Sequence, residues 1–235
     1  MTSNPIFVAL DMPDLARAVA LAKAVRPHVG GLKVGLEFIT AQGPAGVREI
    51  VSLGLPVFAD VKFHDIPNTV AGAAREIARL GCTLFNVHAS GGAAMMRAAK
   101  ESAAAVDPRV KVLGVTVLTS LTEDDLRQVG QADNTGQQVA RLAALAKASG
   151  LDGVVCSPQE IELVRRICGP DFLIVTPGVR PAGAVLADQA RVMTPSEAMS
   201  AGADILVVGR PITAAADPAA AAAAIAAEVA QARAP

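Results

Sequence analysis

Asp60 and Lys62 stand two apart in the apolar run VFADVKF (57–63), and Asp65 follows directly in HDIPNT. Residues two apart on a strand share a face, so the carboxylate and the ammonium point one way while Val61 and Phe63 point the other. Charges in such a place are costly unless paired. A single Asp-x-Lys therefore has two readings: a buried ion pair, or a couple that holds and delivers a proton at a reacting atom. Asp11 in FVALD and Lys33 in GLKVG end or interrupt comparable runs, and two lysines converging with several aspartates on one place read as a site. Arg180 and Arg210 follow late runs, beside Gly178 and Gly209. One such arginine is ordinarily a surface ion pair. Two, each next to a glycine that lets backbone come close, suit a phosphate dianion gripped by guanidinium forks.

The elements that must position these residues are short apolar runs: 6–11, 31–38, 57–63, 83–90, 110–119, 152–157, 172–178 and 205–210. Helical spacing appears between them at 14–25, 46–54, 69–81 and 135–150, and the Ala-rich tail, 214–234, carries Ile225 and Val229 four apart, as a last outer helix would. Near-continuous apolar strands alternating with amphipathic helices predict a parallel sheet covered by helices. Eight such units in 235 residues predict an α/β fold, a single (β/α)8 TIM barrel filling one domain, residues 1–235. The rival, an open doubly wound sheet, lacks its glycine-rich turn after the first strand, where ALDMPD stands. In a barrel the chemistry lies at the C-terminal ends of the strands. The candidates are then Asp11, Lys33, Asp60, Lys62, His88, Thr119, Ser157, Arg180 and Arg210. Pro67 suits the first turn of a helix, which leaves Asp65 at the rim near a positive helix end.

Lys plus Arg number 21 against 22 Asp plus Glu, a formal net charge of −1, so no long-range field favours nucleic acid or an anionic membrane. Cys82, Cys156 and Cys168 are odd in number and lack CxxC spacing, which argues against a disulfide framework or structural zinc and for a reducing cytoplasm. No segment has the length or flanks of a membrane span or a signal peptide.

DVKFHDIPNT (60–69) resembles the D-x-K-x-x-D-I-P-x-T signature of the orotidine 5′-phosphate decarboxylase family in its bacterial form. The likeness continues in ALD at Asp11, LKVG at Lys33, TVLTS at Thr119, TPGVR at Arg180, DQARVMTP at Gln189 and VVGR at Arg210. It implies release of CO2 from C6 of the pyrimidine to give UMP, without metal or organic cofactor. Lys62 would stabilise and protonate the C6 carbanion. Asp60 and Asp65 would flank the substrate carboxylate, and Lys33 would hold the alternating charges together.

The same resemblance gives Asp11 and Lys33 to the ribose and Thr119 to the pyrimidine edge, although Thr119 also reads as a turn residue. Pro177 would offer an apolar contact, and Arg180, Gln189, Gly209 and Arg210 would hold the phosphate. Segment 179–195, long and punctuated by Pro and Gly, would be a lid carrying Gln189, where otherwise it is an ordinary loop. His88 reads as a histidine of the core or one that backs the site residues rather than a catalytic one, His28 and His64 as solvent or packing residues. The family is a homodimer, which would lend Asp65, Ile66 and Thr69 to the neighbour's site. Two alternatives stand beside this one: a Mg-dependent sugar-phosphate aldolase or decarboxylase of the same superfamily with Asp60 on the metal, and a nucleotide-binding barrel without chemistry.

Overall fold

The computed structural model describes residues 4–132, 134–181 and 193–232. Eight parallel strands close on themselves in chain order: β1 (Ile6–Ala9), β2 (Gly31–Gly35), β3 (Val57–Phe63), β4 (Leu84–His88), β5 (Lys111–Val115), β6 (Gly153–Val155), β7 (Leu173–Pro177) and β8 (Ile205–Val208). The helices are α1 (Leu15–Val25), α2 (Leu36–Ser52), α3 (Pro67–Arg79), α4 (Gly92–Ala104), α5 (Glu123–Gln128), α6 (Thr135–Ala148), α7 (Ile161–Cys168), α8 (Pro195–Ser200), α9 (Arg210–Thr213) and α10 (Pro218–Ala232). The predicted barrel is present, with every predicted strand in it. No described helix is long and apolar enough to cross a membrane.

Local sequence accounts for the helix starts. Asp14 caps α1 by accepting the Arg17 N–H at 3.0 Å, Pro67 opens α3, and Asn134 and Gln137 form a capping box on α6. On α3 the residues Val70, Ala74, Ile77 and Ala78 are buried, the spacing of one helical face laid on the sheet. In the Ala-rich tail, Ala222, Ile225 and Val229 do the same for α10.

The second apolar run ends earlier than its composition suggests. Gly35 is the N-cap of α2, so Leu36–Phe38 are helical rather than strand, and Phe38 is buried with Val47 and Ile50. A short apolar run fits either period, and here the helical face won. The same helix is kinked at Gly43, whose φ is +60°, directly before Pro44.

Two apolar layers result. One lies between strands and helices and takes in Val61, with Phe63 packed against it. The other, including Phe7, Phe58, Leu84, Leu113, Val175 and Ile205, fills the barrel itself. Gly31 belongs to that filling, because a Cβ there would overlap the Phe7 ring. Such a plugged interior leaves only the strand ends for ligands.

Candidate active site

Charges alternate across three neighbouring strands. Lys33 of β2 pairs its ammonium with Asp11, just past β1, and lies 3.6 Å from Asp60 Oδ2 on β3. Lys62 Nζ meets the other oxygen, Asp60 Oδ1, at 2.6 Å. Lys33 is 5 % exposed, so its charge is sustained by the two carboxylates that flank it. The Lys62 side chain keeps 28 % of its surface. Gly35 makes the arrangement possible: a Cβ there would overlap Asp11 Oδ1 and sit 3.0 Å from Lys33 Nζ.

Lys62 reaches Asp60 by an irregular path. From Ala59 to Phe63 strand β3 advances four residues while its partner β4 advances two, Phe85 to Val87. This is a bulge, and within it Lys62 has a φ of +50°, the only positive φ of a non-glycine among the described residues. For an L-residue that conformation costs roughly 1–2 kcal/mol. The Lys62 N–H, removed from the ladder, donates to Asn86 Oδ1 at 2.7 Å, and Asn86 Nδ2 donates to Asp60 Oδ1 at 2.7 Å.

Burial pushes the Asp60 carboxyl up, but the charges of Lys33 and Lys62 and the hydrogen bonds from Lys62 and Asn86 together outweigh it. Asp60 is held below the ordinary carboxylate value and stays ionised at neutral pH. Burial pushes the His88 imidazole down, His64 and Lys62 act in the same direction, and Asp60 opposes them. The His64 and His88 rings lie 5.4 Å apart.

A cavity of about 190 Å³ opens over the couple, lined by Asp60, Lys62, Thr119 and Pro177 together with apolar residues such as Val117 and Val207. Arg180 is buried just beyond β7, donates to the Val179 carbonyl at 3.0 Å, and is pushed below its usual value by burial and then by the nearby charge of Arg210. Arg210 opens α9, with Gly209 as its N-cap. A Cβ at Gly209 would meet only Ala9 Cβ, at 3.9 Å, so the chain leaves space there. Gly178 has a φ of +82°, which suits glycine.

The structure thus brings Asp11, Lys33, Asp60 and Lys62 into one array and places Thr119 and Pro177 on its cavity. Asp65 stands apart from that array. Its carboxylate accepts the Ile66 N–H at 2.6 Å and belongs to none of the ion pairs among the described residues. Asp65 and Thr69 are exposed, and Ile66 is 67 % exposed. Ser157 is buried and caps a short 3-10 turn, a structural task. Gln189 and the body of segment 179–195 lie outside the described residues; the Arg180 N–H donates to the Met193 carbonyl at 2.9 Å across its ends. Among the described residues no three His, Cys, Asp or Glu side chains gather where they could hold a metal ion.

Two residues escaped the sequence reading. Asn86 is fully buried in the middle of LFNVH, and a lone amide inside an apolar strand must find partners. Gly35, the second glycine of GLKVG, stands two residues from Lys33 on the same face. Both signals were present, but only the distances give them meaning.

Comparison with known proteins bears on the chain as a whole. The pattern described as Orotidine 5′-phosphate decarboxylase / HUMPS family matches residues 4–225. A protein of Moorella thermoacetica named orotidine 5′-phosphate decarboxylase is 58 % identical over 232 residues, covering 96 % of this chain and 92 % of its own length. One of the same name from Paramagnetospirillum magneticum is 54 % identical, covering 96 % and 98 %. The crystal structure of orotidine 5′-phosphate decarboxylase from Lactobacillus acidophilus superposes with a TM-score of 0.87 at 40 % identity, over 97 % of this chain and 99 % of that one. The chain belongs to the orotidine 5′-phosphate decarboxylase / HUMPS family.

Proposed function

We propose that this protein decarboxylates orotidine 5′-phosphate to UMP, the closing step of de novo pyrimidine synthesis, and that it does so in the cytoplasm. The observation that carries this is the Lys62 ammonium, held at 2.6 Å by Asp60 on the wall of the mouth cavity. When the bond from C6 to the carboxylate breaks, the electron pair stays on C6 and CO2 leaves. The ammonium stabilises that pair and then donates its proton to C6. The neutral amine regains a proton from water.

Asp60 has a double task in this proposal. It pairs with Lys62 and keeps it aimed, and it meets the substrate carboxylate with repulsion that vanishes as CO2 departs. Two unit charges about 4 Å apart at an effective dielectric near 20 interact by roughly 4 kcal/mol, whereas enzymes lower barriers by about 8–23 kcal/mol. Repulsion is therefore the smaller contribution, and stabilisation of the carbanion by Lys62 the larger. Remote binding energy supplies the remainder. Burial and then the nearby charge of Arg210 press on the Arg180 guanidinium, a conflict that a phosphate dianion between them would relieve. Gln189 is assigned to the same phosphate, and Gly209 leaves it room. Asp11 and Lys33 take the ribose hydroxyls, Thr119 the pyrimidine edge, and Pro177 the ring face.

Asp65, Ile66 and Thr69 are assigned to the site of a second subunit. The exposure of all three, and the separation of Asp65 from its own array, support this. If so, mixing Lys62→Ala with Asp65→Ala protein restores activity. Half of randomly exchanged dimers are mixed, and each mixed dimer has one intact site of two, so about a quarter of wild-type activity returns. No recovery after verified exchange would end the sharing.

The reaction itself is tested by following the loss of orotidine 5′-phosphate absorbance with purified protein. Turnover is expected, undiminished by EDTA, and lost in Lys62→Ala. An inactive wild-type protein, or a fully active Lys62→Ala, would refute the proposal. Loss of turnover in EDTA would instead favour the metal-dependent alternative. The reading keeps Cys82, Cys156 and Cys168, all buried free thiols, in a reducing compartment.

A further inference from the structure

We propose that Asn86 is a positioning residue for the reaction, one amide that fixes both partners of the Asp60–Lys62 couple. The inference rests on the role given to Lys62 above. Asn86 lies on β4 with no exposed surface, opposite the place where β3 bulges out of register. It does two things with two atoms. Its Oδ1 accepts the Lys62 N–H at 2.7 Å, and its Nδ2 donates to Asp60 Oδ1 at 2.7 Å.

The orientation of the amide is dictated by its partners. A backbone N–H only donates and an ionised carboxylate only accepts, so oxygen must face Lys62 and nitrogen must face Asp60. Asp60 Oδ1 thereby receives both the Asn86 amide and the Lys62 ammonium, while Oδ2 faces Lys33. The Lys62 backbone occupies a left-handed conformation that its side chain alone would not choose. Asn86 supplies the hydrogen bond that the disrupted ladder withholds and so helps keep the lysine there. Rotation of that backbone toward an ordinary extended conformation would swing the ammonium away from the cavity.

A merely structural asparagine would satisfy the bulge and do nothing to the chemistry. The two roles separate because the donor can be removed while the acceptor stays. Asn86→Asp keeps the size and the acceptor for Lys62 N–H but replaces the donor to Asp60 with a second carboxylate. Asn86→Ala removes both. The charged and titratable groups facing Asp60 are Lys33 from β2, Lys62 from β3 and His88 from β4, with Asp11 beyond Lys33. None of these is changed by the substitutions, so a shift of the acidic limb in Asn86→Ala reports the lost amide, while in Asn86→Asp the new carboxylate adds its own charge to the same shift.

The experiment measures kcat, KM, the pH profile of kcat/KM and UMP affinity for wild type, Asn86→Asp and Asn86→Ala. The expected result is a fall in kcat of about 10²-fold, the order caused by displacing a reacting group by about 1 Å. UMP affinity changes no more than a few-fold, and the acidic limb moves to higher pH, because loss of the Asn86 hydrogen bond leaves Asp60 easier to protonate. In a Lys62→Ala background, Asn86→Asp should cause almost no further loss, since it acts through the missing lysine. Unchanged kcat and acidic limb, a loss confined to KM, or full additivity with Lys62→Ala would overturn the proposal. Failure of both variants to fold would assign Asn86 to the fold alone and overturn it as well. Wild type run alongside separates the two failures: no turnover by wild type ends the proposed reaction, whereas turnover with indifferent variants ends only the role of Asn86.

Discussion

Two Lys–Asp–Lys clusters occupy opposite ends of this barrel. At the C-terminal end Asp60 sits between Lys33 and Lys62. At the N-terminal end Asp152 sits between Lys100, at 2.5 Å, and Lys111, at 3.1 Å. Both border a cavity, and the one beside Lys111 and Asp152, about 520 Å³, is the larger of the two. Neither composition nor cavity size separates them. Their hydrogen bonds do. Asp152 accepts the Val112 N–H at 2.8 Å and returns its own N–H to the Val112 carbonyl at 3.0 Å, so it is tied into the edge of the sheet. Among the described contacts of Asp60 there is no backbone N–H; its partners are two ammonium groups and one amide side chain. One of those ammonium groups hangs from a strained backbone. Charges stitched to backbone hold a fold together, whereas charges held by side chains alone over a cavity remain able to meet a ligand.

The sharpest way to break the comparison is to remove one lysine. Lys62→Ala is expected to lower kcat by about 10³-fold or more, the combined order of a lost general acid and a lost electrostatic stabiliser. Its melting temperature should hold, and a loss of stability without a loss of turnover would make the two clusters equivalent. Next comes Gly35→Ala, whose new methyl would displace the Asp11–Lys33 pair. Overpacking of this kind costs about 1–3 kcal/mol of stability, so the melting temperature should fall by a few degrees or more, and kcat/KM by up to about 10²-fold as the displaced pair loses its place.

The signature opposite to that of Lys62→Ala belongs to Asp152→Ala. It strips the Val112 N–H and two lysines of their partner and should lower unfolding free energy by about 1–3 kcal/mol, read as a shifted urea midpoint. Its kcat per folded molecule should equal that of wild type. The smallest effect concerns pH. His88 is held below the ordinary imidazole value, so on acidification the unfolded chain takes up the proton first. Stability is then full above about pH 6.5 and declines as pH falls through that value toward the folded-state one. Asp60, also depressed, adds a further decline only near and below about pH 4. His88→Gln should flatten the upper part of the urea midpoint curve and leave the lower part in place.

Much of this was legible in order of residues. The eight apolar runs, the helical spacing at 14–25 and 135–150 and the proline at 67 are local signals, and local signals survive without coordinates. Asp60 and Lys62 could be placed together because strand alternation is a property of the backbone alone. The same rule was too simple for the path between them. It assumes an unbroken strand, whereas the bulge inserts extra residues and turns Lys62 to a positive φ. The end of β2 differs from its apolar run for a related reason, since Leu36–Phe38 are apolar enough for either a strand or a buried helical face.

By itself the sequence determined which groups would carry charge and at which strand ends they would stand, because side-chain chemistry and backbone period need no neighbours. Tertiary structure alone decided that Asn86 would face the couple from the next strand, that Gly35 would clear space for Asp11, and that Asp60 rather than Asp152 would be left off the backbone. Those outcomes depend on register between strands far apart in the chain, and register is fixed only when the barrel closes.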